Sequence, residues 1–276
     1  MLDILYVKWD VSPEIFRILG LPVRWYGILF LSGFLLGIWL FSKFYKREGL
    51  PSVLLDPILW ATLLFALIGA RLGHVLFYQP EEYLANPIEI LKVWHGGLAS
   101  HGGAIGVLFA VRWYVKKYGK KYGFDYIWIL DRLAVAIPFA GALIRIGNLM
   151  NSEIYGYETT LPWGFIFVRN GETMPHHPTQ LYEASAYLLL GIMMLIFYYK
   201  LSNKQWIYKG FMFGLFLFCL FGARFLIEFV KEPQVEGEIG KLLNNGQLLS
   251  IPFIIAGIIF MVWSFIKKKP VLLEKK

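Results

Sequence analysis

Apolar stretches of helical length alternate along this chain with short charged connections. A hydrocarbon core about 30 Å thick is crossed by about 20 mostly apolar residues in a helix. Seven runs approach that length, at 25–43, 53–78, 100–115, 126–150, 181–199, 210–230 and 248–266. The pattern predicts an all-α polytopic membrane protein with seven transmembrane helices, forming a single integral-membrane domain over residues 1–276. The run at 100–115 is the shortest, Gly-rich at its start and interrupted by Arg112.

Two kinds of connection separate the runs. One kind is Lys-rich and, with the C-terminal tail, holds Lys43, Lys46, Arg47, Lys116, Lys117, Lys120, Lys121, Lys200, Lys204, Lys209, Lys267, Lys268, Lys269, Lys275 and Lys276. The other kind holds the smaller set Lys8, Arg17, Arg24, Lys92, Arg169, Lys231 and Lys241. Lys and Arg accumulate on the cytoplasmic face, so the N-terminus is expected outside and the C-terminus inside. The outer segments, about 79–99, 151–180 and 231–247, are longer and carry Trp94 and Trp163. Residues 81–93 predict an amphipathic helix lying on the membrane surface. Trp163–Val168 followed by Arg169-Asn170-Gly171 and Glu172 predicts a β-hairpin, because Asn-Gly supplies the positive φ angles of a tight turn. The opening, with Asp3, Asp10 and Pro13 and no basic n-region, does not read as a cleavable signal peptide.

Composition agrees. Hydrophobic residues make up 57% and charged residues 17% of the chain, against about 45–50% and about 25% in globular domains. A water-soluble enzyme with one buried core is excluded. The net charge of +8 and pI near 9.4 invite a nucleic-acid reading. The basic residues sit where membrane topology wants them, so no nucleic-acid partner is expected. One cysteine, Cys219, forms no intrachain disulfide and no multi-thiolate zinc or iron–sulfur site.

Ionisable groups inside a span cost about 2.5–3.5 kcal/mol each on insertion scales, so each needs a reason. Arg71, Arg145 and Arg224 fall in the outward portions of the second, fourth and sixth runs. The first and third runs begin on the same side with Tyr26 and His101. Glu228 follows Arg224 by four residues, on the same helix face. Polar groups from five runs at similar depth suggest anion binding. Guanidinium is always charged and pairs bidentately with phosphate, here the phosphate of a lipid headgroup. Simpler readings stand beside this one. Arg71 can snorkel or pair with helix-end carbonyls, Arg224 and Glu228 can form a structural pair, and His74 can be a hydrogen-bonded packing residue. His95 and His176 read as interfacial, Cys219 as core, and the abundant glycine as a means of close helix packing. His101 stands between glycine pairs in His95-Gly96-Gly97-Leu98-Ala99-Ser100-His101-Gly102-Gly103. It is either a helix-start residue at a bend or an imidazole able to take a proton near neutrality.

Arg145-Ile146-Gly147-Asn148-Leu149-Met150-Asn151-Ser152-Glu153-Ile154-Tyr155-Gly156 resembles the signature of bacterial phosphatidylglycerol–prolipoprotein diacylglyceryl transferases, Arg-x-Gly-Asn-Phe-x-Asn-x-Glu-x-x-Gly. Arg24-Trp25-Tyr26-Gly27, the Gly-rich segment around His101, His177-Pro178-Thr179-Gln180-Leu181-Tyr182-Glu183 and Arg224-Phe225-Leu226-Ile227-Glu228-Phe229 agree with it. Leu149 replaces the usual Phe, and Ile144 stands where a Gly commonly precedes the Arg.

The resemblance implies an enzyme that moves the diacylglyceryl group of phosphatidylglycerol onto the lipobox cysteine of a prolipoprotein signal peptide. A thioether forms and glycerol phosphate leaves, in the first step of lipoprotein maturation. The reaction uses no cofactor, metal or nucleotide. The enzyme works in the bacterial cell (inner) membrane with its active site towards the extracytoplasmic side. On this reading His101, Arg145 and Arg224 are catalytic. His101 takes the thiol proton, and the two arginines meet charge growing on the leaving phosphate. Tyr26, Arg145, Asn148, Asn151, Glu153, Arg224 and Glu228 bind the lipid, Glu153 by orienting an Arg or a hydroxyl. His177 and Gln180 orient the outer loop. A transporter is the main rival, but the sequence lacks repeats and a midplane set of polar groups. Other lipid-handling enzymes would want a carboxylate pair for a metal, and an assembly protein would not need five convergent polar groups.

Overall fold

The computed structural model describes residues 6–18, 20–93, 96–202, 206–232 and 243–273. Asp3, Trp94, His95, Lys204, Lys241, Lys275 and Lys276 lie outside the described residues, as does most of the expected outer segment 231–247. In chain order the strands are β1 (Val7–Trp9), β2 (Glu14–Ile18), β3 (Leu21–Arg24) and β4 (Phe165–Phe167). The helices are α1 (Trp25–Arg47), α2 (Leu55–Phe77), α3 (Pro80–Ala85), α4 (Ser100–Tyr114), α5 (Lys120–Tyr122), α6 (Tyr126–Met150), α7 (Thr179–Ile196), α8 (Phe211–Ile227) and α9 (Asn245–Lys267).

Six helical segments are long and apolar enough to cross a membrane: Trp25–Arg47, Ser52–Phe77, Tyr126–Met150, Thr179–Leu201, Phe211–Val230 and Asn245–Lys267. They coincide with six of the seven runs. The remaining run is helical too, but α4 has only 15 residues, short of the about 20 a straight crossing takes. Beyond Arg112 the helix continues through a π-helical turn, Val115–Gly119, into α5, where lysines replace apolar residues.

The segments expected outside differ from expectation in detail. The surface helix expected at 81–93 is broken: α3 ends at Ala85 and a 3-10 helix takes over at Pro87–Leu91. Pro87 disfavours helical backbone at Asn86 before it, which is where the break falls. The expected Asn-Gly turn also takes another form. Val168–Asn170 makes a 3-10 turn and only Gly171 has positive φ, at 79°, whereas the tight two-residue turn needs both residues there. Asn170 instead donates to the Ser152 carbonyl at 2.7 Å. The chain still folds back far enough for Phe165 to bridge His176, but β4 takes β1 as its strand partner, in parallel. β2 and β3 form an antiparallel hairpin that the apolar pattern does not announce.

The chain divides into two compact units. The first comprises Met1–Leu40 and Leu130–Leu272. Within it α1 meets α6 where a Cβ on Gly33 would lie 3.1 Å from the Ala140 Cβ, and α8 meets α9 where Gly214 and Gly257 face each other's carbonyls. Asp131 accepts from the Gly210 and Phe213 amides at 2.8 and 3.0 Å, satisfying donors at the start of α8.

The second unit comprises Phe41–Ile129 and Leu273–Lys276. Here α2 and α4 touch backbone to backbone. A Cβ on Gly102 would lie 2.1 Å from the Gly69 carbonyl oxygen, and one on Gly106 would lie 2.0 Å from that of Phe65. Small residues permit such approach where lipid gives helices no hydrophobic reason to associate. Tyr45, Tyr114, Phe124 and Trp128 form the aromatic core of this unit, with the Trp128 indole donating to Glu48 at 2.8 Å. Arg71 is buried and its guanidinium donates to the main-chain carbonyls of Ile90, Gly96, Gly97, Glu89 and Lys92. The Tyr83 ring packs over it at 4.8 Å. Arg71 thus takes the simpler of its two readings. His74 does likewise, bonding Gln79 at 2.7 Å and stacking on Tyr78.

Candidate active site

The site in the first unit starts from the way α6 ends. The Ser152 amide donates to the Leu149 carbonyl at 2.9 Å and the Glu153 amide reaches back to that of Asn148 at 3.0 Å. With Ser152 left-handed at φ 54°, this is a Schellman cap with serine where glycine is usual. Ile154 also has positive φ, 63°, which a β-branched residue rarely adopts. Side chains from elsewhere hold the turn. Asn170 donates to the Ser152 carbonyl, Gln180 to that of Glu153 at 2.7 Å, and Thr179 to that of Ile154 at 2.8 Å.

The cap folds Glu153 back over the last turn of α6. Asn148 Nδ2 donates to Glu153 Oε1 at 2.7 Å, while Asn148 Oδ1 accepts from Arg145 Nη1 at 3.2 Å. Asn151 adds a second amide to the same Glu153 oxygen at 3.2 Å. Arg145 and Asn148, three residues apart, share a helix face. The Tyr26 ring packs against the same helical turn at Gly147, where a Cβ would come within 2.9 Å of it. The Tyr26 hydroxyl has no hydrogen-bond partner among the described residues, and it lies within electrostatic reach of Glu153 and Arg145.

A second layer comes from α7 and the end of α8. Glu183, fully buried, sets Oε2 2.7 Å from Arg145 Nε, held by charge rather than by an aligned N–H. Gln180 and Glu183 are again three apart, so one face of α7 fixes both the turn and the arginine. On the other side of Glu183, Lys231 Nζ lies 3.7 Å from Oε1 and 3.6 Å from Glu228 Oε2. Burial pushes the Lys231 ammonium below the usual lysine range, while Glu183 and Glu228 pull it back up. Gly156 sets Lys231 in place. It bridges Lys231 in antiparallel fashion, and a Cβ there would lie 2.1 Å from the Val230 carbonyl oxygen. Gly246 of α9 leaves room for the Glu228 carboxylate, 2.5 Å from where its own Cβ would stand. Arg224, half-buried on α8, has no hydrogen bond or ion pair with any described residue. With Arg145 it acts electrostatically on the Tyr187 hydroxyl and on Lys231.

Residues 13–263 match the family model described as prolipoprotein diacylglyceryl transferase. The chain belongs to that family. A phosphatidylglycerol–prolipoprotein diacylglyceryl transferase from Tolumonas auensis is 46% identical over 256 residues, covering 93% of this chain and 96% of its own. Proteins of the same name from Porphyromonas gingivalis and Chloroherpeton thalassium are 43% and 41% identical, covering 92% and 94% of this chain and 93% and 94% of their own.

Measured against the residues that the diacylglyceryl transferase signature singled out, Tyr26, Arg145, Asn148, Asn151, Glu153, Arg224 and Glu228 all belong to the first unit. Arg145, Asn148, Asn151 and Glu153 form one hydrogen-bonded chain. The structural pair of Arg224 with Glu228, the simpler of their two readings, is not made. The α-helix gives way to a 3-10 turn at Glu228, and its carboxylate faces Lys231. His101 lies in the second unit, in the first turn of α4, with its side chain exposed and no hydrogen bond to a described residue. His176, expected at the interface, is buried, 2.9 Å from the Gly156 carbonyl and 3.3 Å from Glu172. Two members of the network, Glu183 and Lys231, were not named as site residues from the sequence. Glu183 closes the His177–Glu183 motif, and its place three residues after Gln180 was the signal that could have found it. Lys231, counted with the outer connections, bore no such sign.

Proposed function

We infer that this chain transfers the diacylglyceryl group of phosphatidylglycerol to the lipobox cysteine thiol of prolipoproteins, the first step of lipoprotein maturation. The observation that carries the reading is Arg224, a guanidinium with no hydrogen bond or ion pair among the described residues, acting on the same Tyr187 and Lys231 as an Arg145 already fixed by Glu183 and Asn148. A cation left unsatisfied at such cost invites an anionic ligand. The family supplies its identity, the lipid phosphodiester.

The step is a displacement at carbon. The thiol proton goes to a base and the sulfur attacks the glyceryl carbon that bears the phosphate. The C–S bond forms as the C–O bond breaks, and the electron pair leaves on glycerol phosphate. Arg145 and Arg224 stabilise the charge that develops there, as pre-positioned cations do best in a poorly solvated site. His101 is the proposed base: its imidazole is exposed and carries no competing hydrogen bond among the described residues. The Tyr26 hydroxyl donates to a phosphate or ester oxygen. Asn148, Asn151 and Glu153 orient Arg145 and take up headgroup hydroxyls, with Glu228 on the far side. The same reading has the chain in the bacterial inner membrane, N-terminus outside, with α4 and its extension completing a seventh crossing. The site then opens to the extracytoplasmic leaflet.

The test is purified protein in detergent with phosphatidylglycerol and a lipobox peptide, read by mass for the diacylglyceryl adduct. Adduct is expected with phosphatidylglycerol, none with a zwitterionic lipid, and none with Arg145→Ala. Equal turnover of both lipids would refute phosphate-headgroup recognition by these arginines.

A further inference from the structure

Arg224 and Glu228 stand four residues apart on one element, the spacing at which a basic and an acidic side chain ordinarily pair. They do not pair. Glu228 is nine-tenths buried, its Oε2 accepts no hydrogen bond, and the cation beside it is Lys231, only 3% exposed, at 3.6 Å. The same ammonium lies 3.7 Å from Glu183, the carboxylate that holds Arg145. The charged groups that act on Lys231 are two carboxylates, Glu183 and Glu228, and two further cations, Arg145 and Arg224, so the set holds three cations and two carboxylates. Glu153 is exposed and engaged by two amides. One positive charge is left over, and a phosphodiester carries one negative charge.

We propose that Lys231 is a positioning residue that occupies Glu228 and Glu183 so that Arg224 stays free for the lipid phosphate. Without this ammonium the buried Glu228 carboxylate has one cation within its own element, Arg224. Pairing would satisfy both groups and bring the cluster to neutrality, leaving the phosphate no uncompensated cation. Lys231 touches no reacting atom; it acts through Arg224. The inference rests on the reading of this cluster as the phosphate site.

The test compares Lys231→Met, Lys231→Arg and the double variant Lys231→Met/Glu228→Gln with wild type, measuring KM for phosphatidylglycerol and kcat in mixed micelles. Lys231→Met is expected to raise KM about tenfold or more, the equivalent of one lost charge contact, with a smaller change in kcat. Lys231→Arg keeps the charge and stays within about threefold of wild type. The double variant removes the surplus carboxylate together with the lysine, so its KM falls at least about threefold below that of Lys231→Met, short of wild type by what Glu228 gives the headgroup. The proposal is overturned if Lys231→Met loses folded protein with KM unchanged. It is also overturned if the double variant is no better than Lys231→Met, or fails to fold while Lys231→Arg folds. A wild-type enzyme that makes no adduct from phosphatidylglycerol would instead sink the functional reading.

Discussion

Arg145 Nε and Glu183 Oε2 lie 2.7 Å apart on α6 and α7, and the carboxylate is wholly buried. A buried charge stripped of its partner costs about 3–5 kcal/mol. Glu183→Gln keeps the shape and removes the charge, so it leaves Arg145 and Lys231 facing one another across a neutral amide. Thermal unfolding in detergent should show a loss of about 3 kcal/mol, together with a fall in adduct formation.

His101 should reveal itself through pH rather than through stability. It is exposed and makes no hydrogen bond to the described residues, so His101→Asn is expected to leave the melting temperature nearly unchanged. Turnover should fall by about 10²–10⁴, the usual worth of a general base, and the acid limb of the pH–rate profile should disappear. A variant that keeps that limb removes His101 as the base.

Ser152 pays the conformational cost of a left-handed residue at the end of α6, and its buried Oγ has no hydrogen-bond partner among the described residues. Glycine adopts that conformation freely. Ser152→Gly should raise stability by about 1 kcal/mol, seen as a higher melting temperature with the adduct yield retained.

His177 gives a pH dependence of stability. Burial lowers its imidazole below the ordinary value of 6.5, and the neighbouring His176 adds to the effect. The folded chain therefore takes up fewer protons than the unfolded one between that lowered value and 6.5. The contribution is fully present above 6.5 and is lost as pH falls through the folded value. Glu232 works with the opposite sign, since burial raises its carboxyl above 4.5. Comparing wild type with His177→Gln isolates the histidine: the variant should melt with a shallower pH slope below 6.5.

The apolar runs were legible because a bilayer demands one thing of a crossing segment, about 20 residues of hydrocarbon. α1, α2, α6, α7, α8 and α9 answer to that demand directly, and α4 answers to it in part. The strands were legible only in part. β4 lies within the Trp163–Val168 stretch that reads as a strand before Asn-Gly, but its partner β1 is far away in sequence and pairs in parallel, which no local turn signal announces. Arg145, Asn148 and Glu153 could be grouped from the signature, but their linkage depends on a cap whose αL residue is Ser152, where no glycine marks it. Lys231 failed for a different reason. A lysine expected in an outer connection reads as a topology marker, and only its burial and its approach to Glu183 and Glu228 in the fold show that it points inwards.

Arg71 grips the segment from Glu89 to Gly97 solely through peptide oxygens. Every amino acid offers that atom, so Glu89, Ile90 and Lys92 can be exchanged without taking an acceptor from Arg71. Gly97 has no such latitude: its φ is 68°, and a Cβ there would stand 2.7 Å from the Arg71 Nη1 it helps to hold.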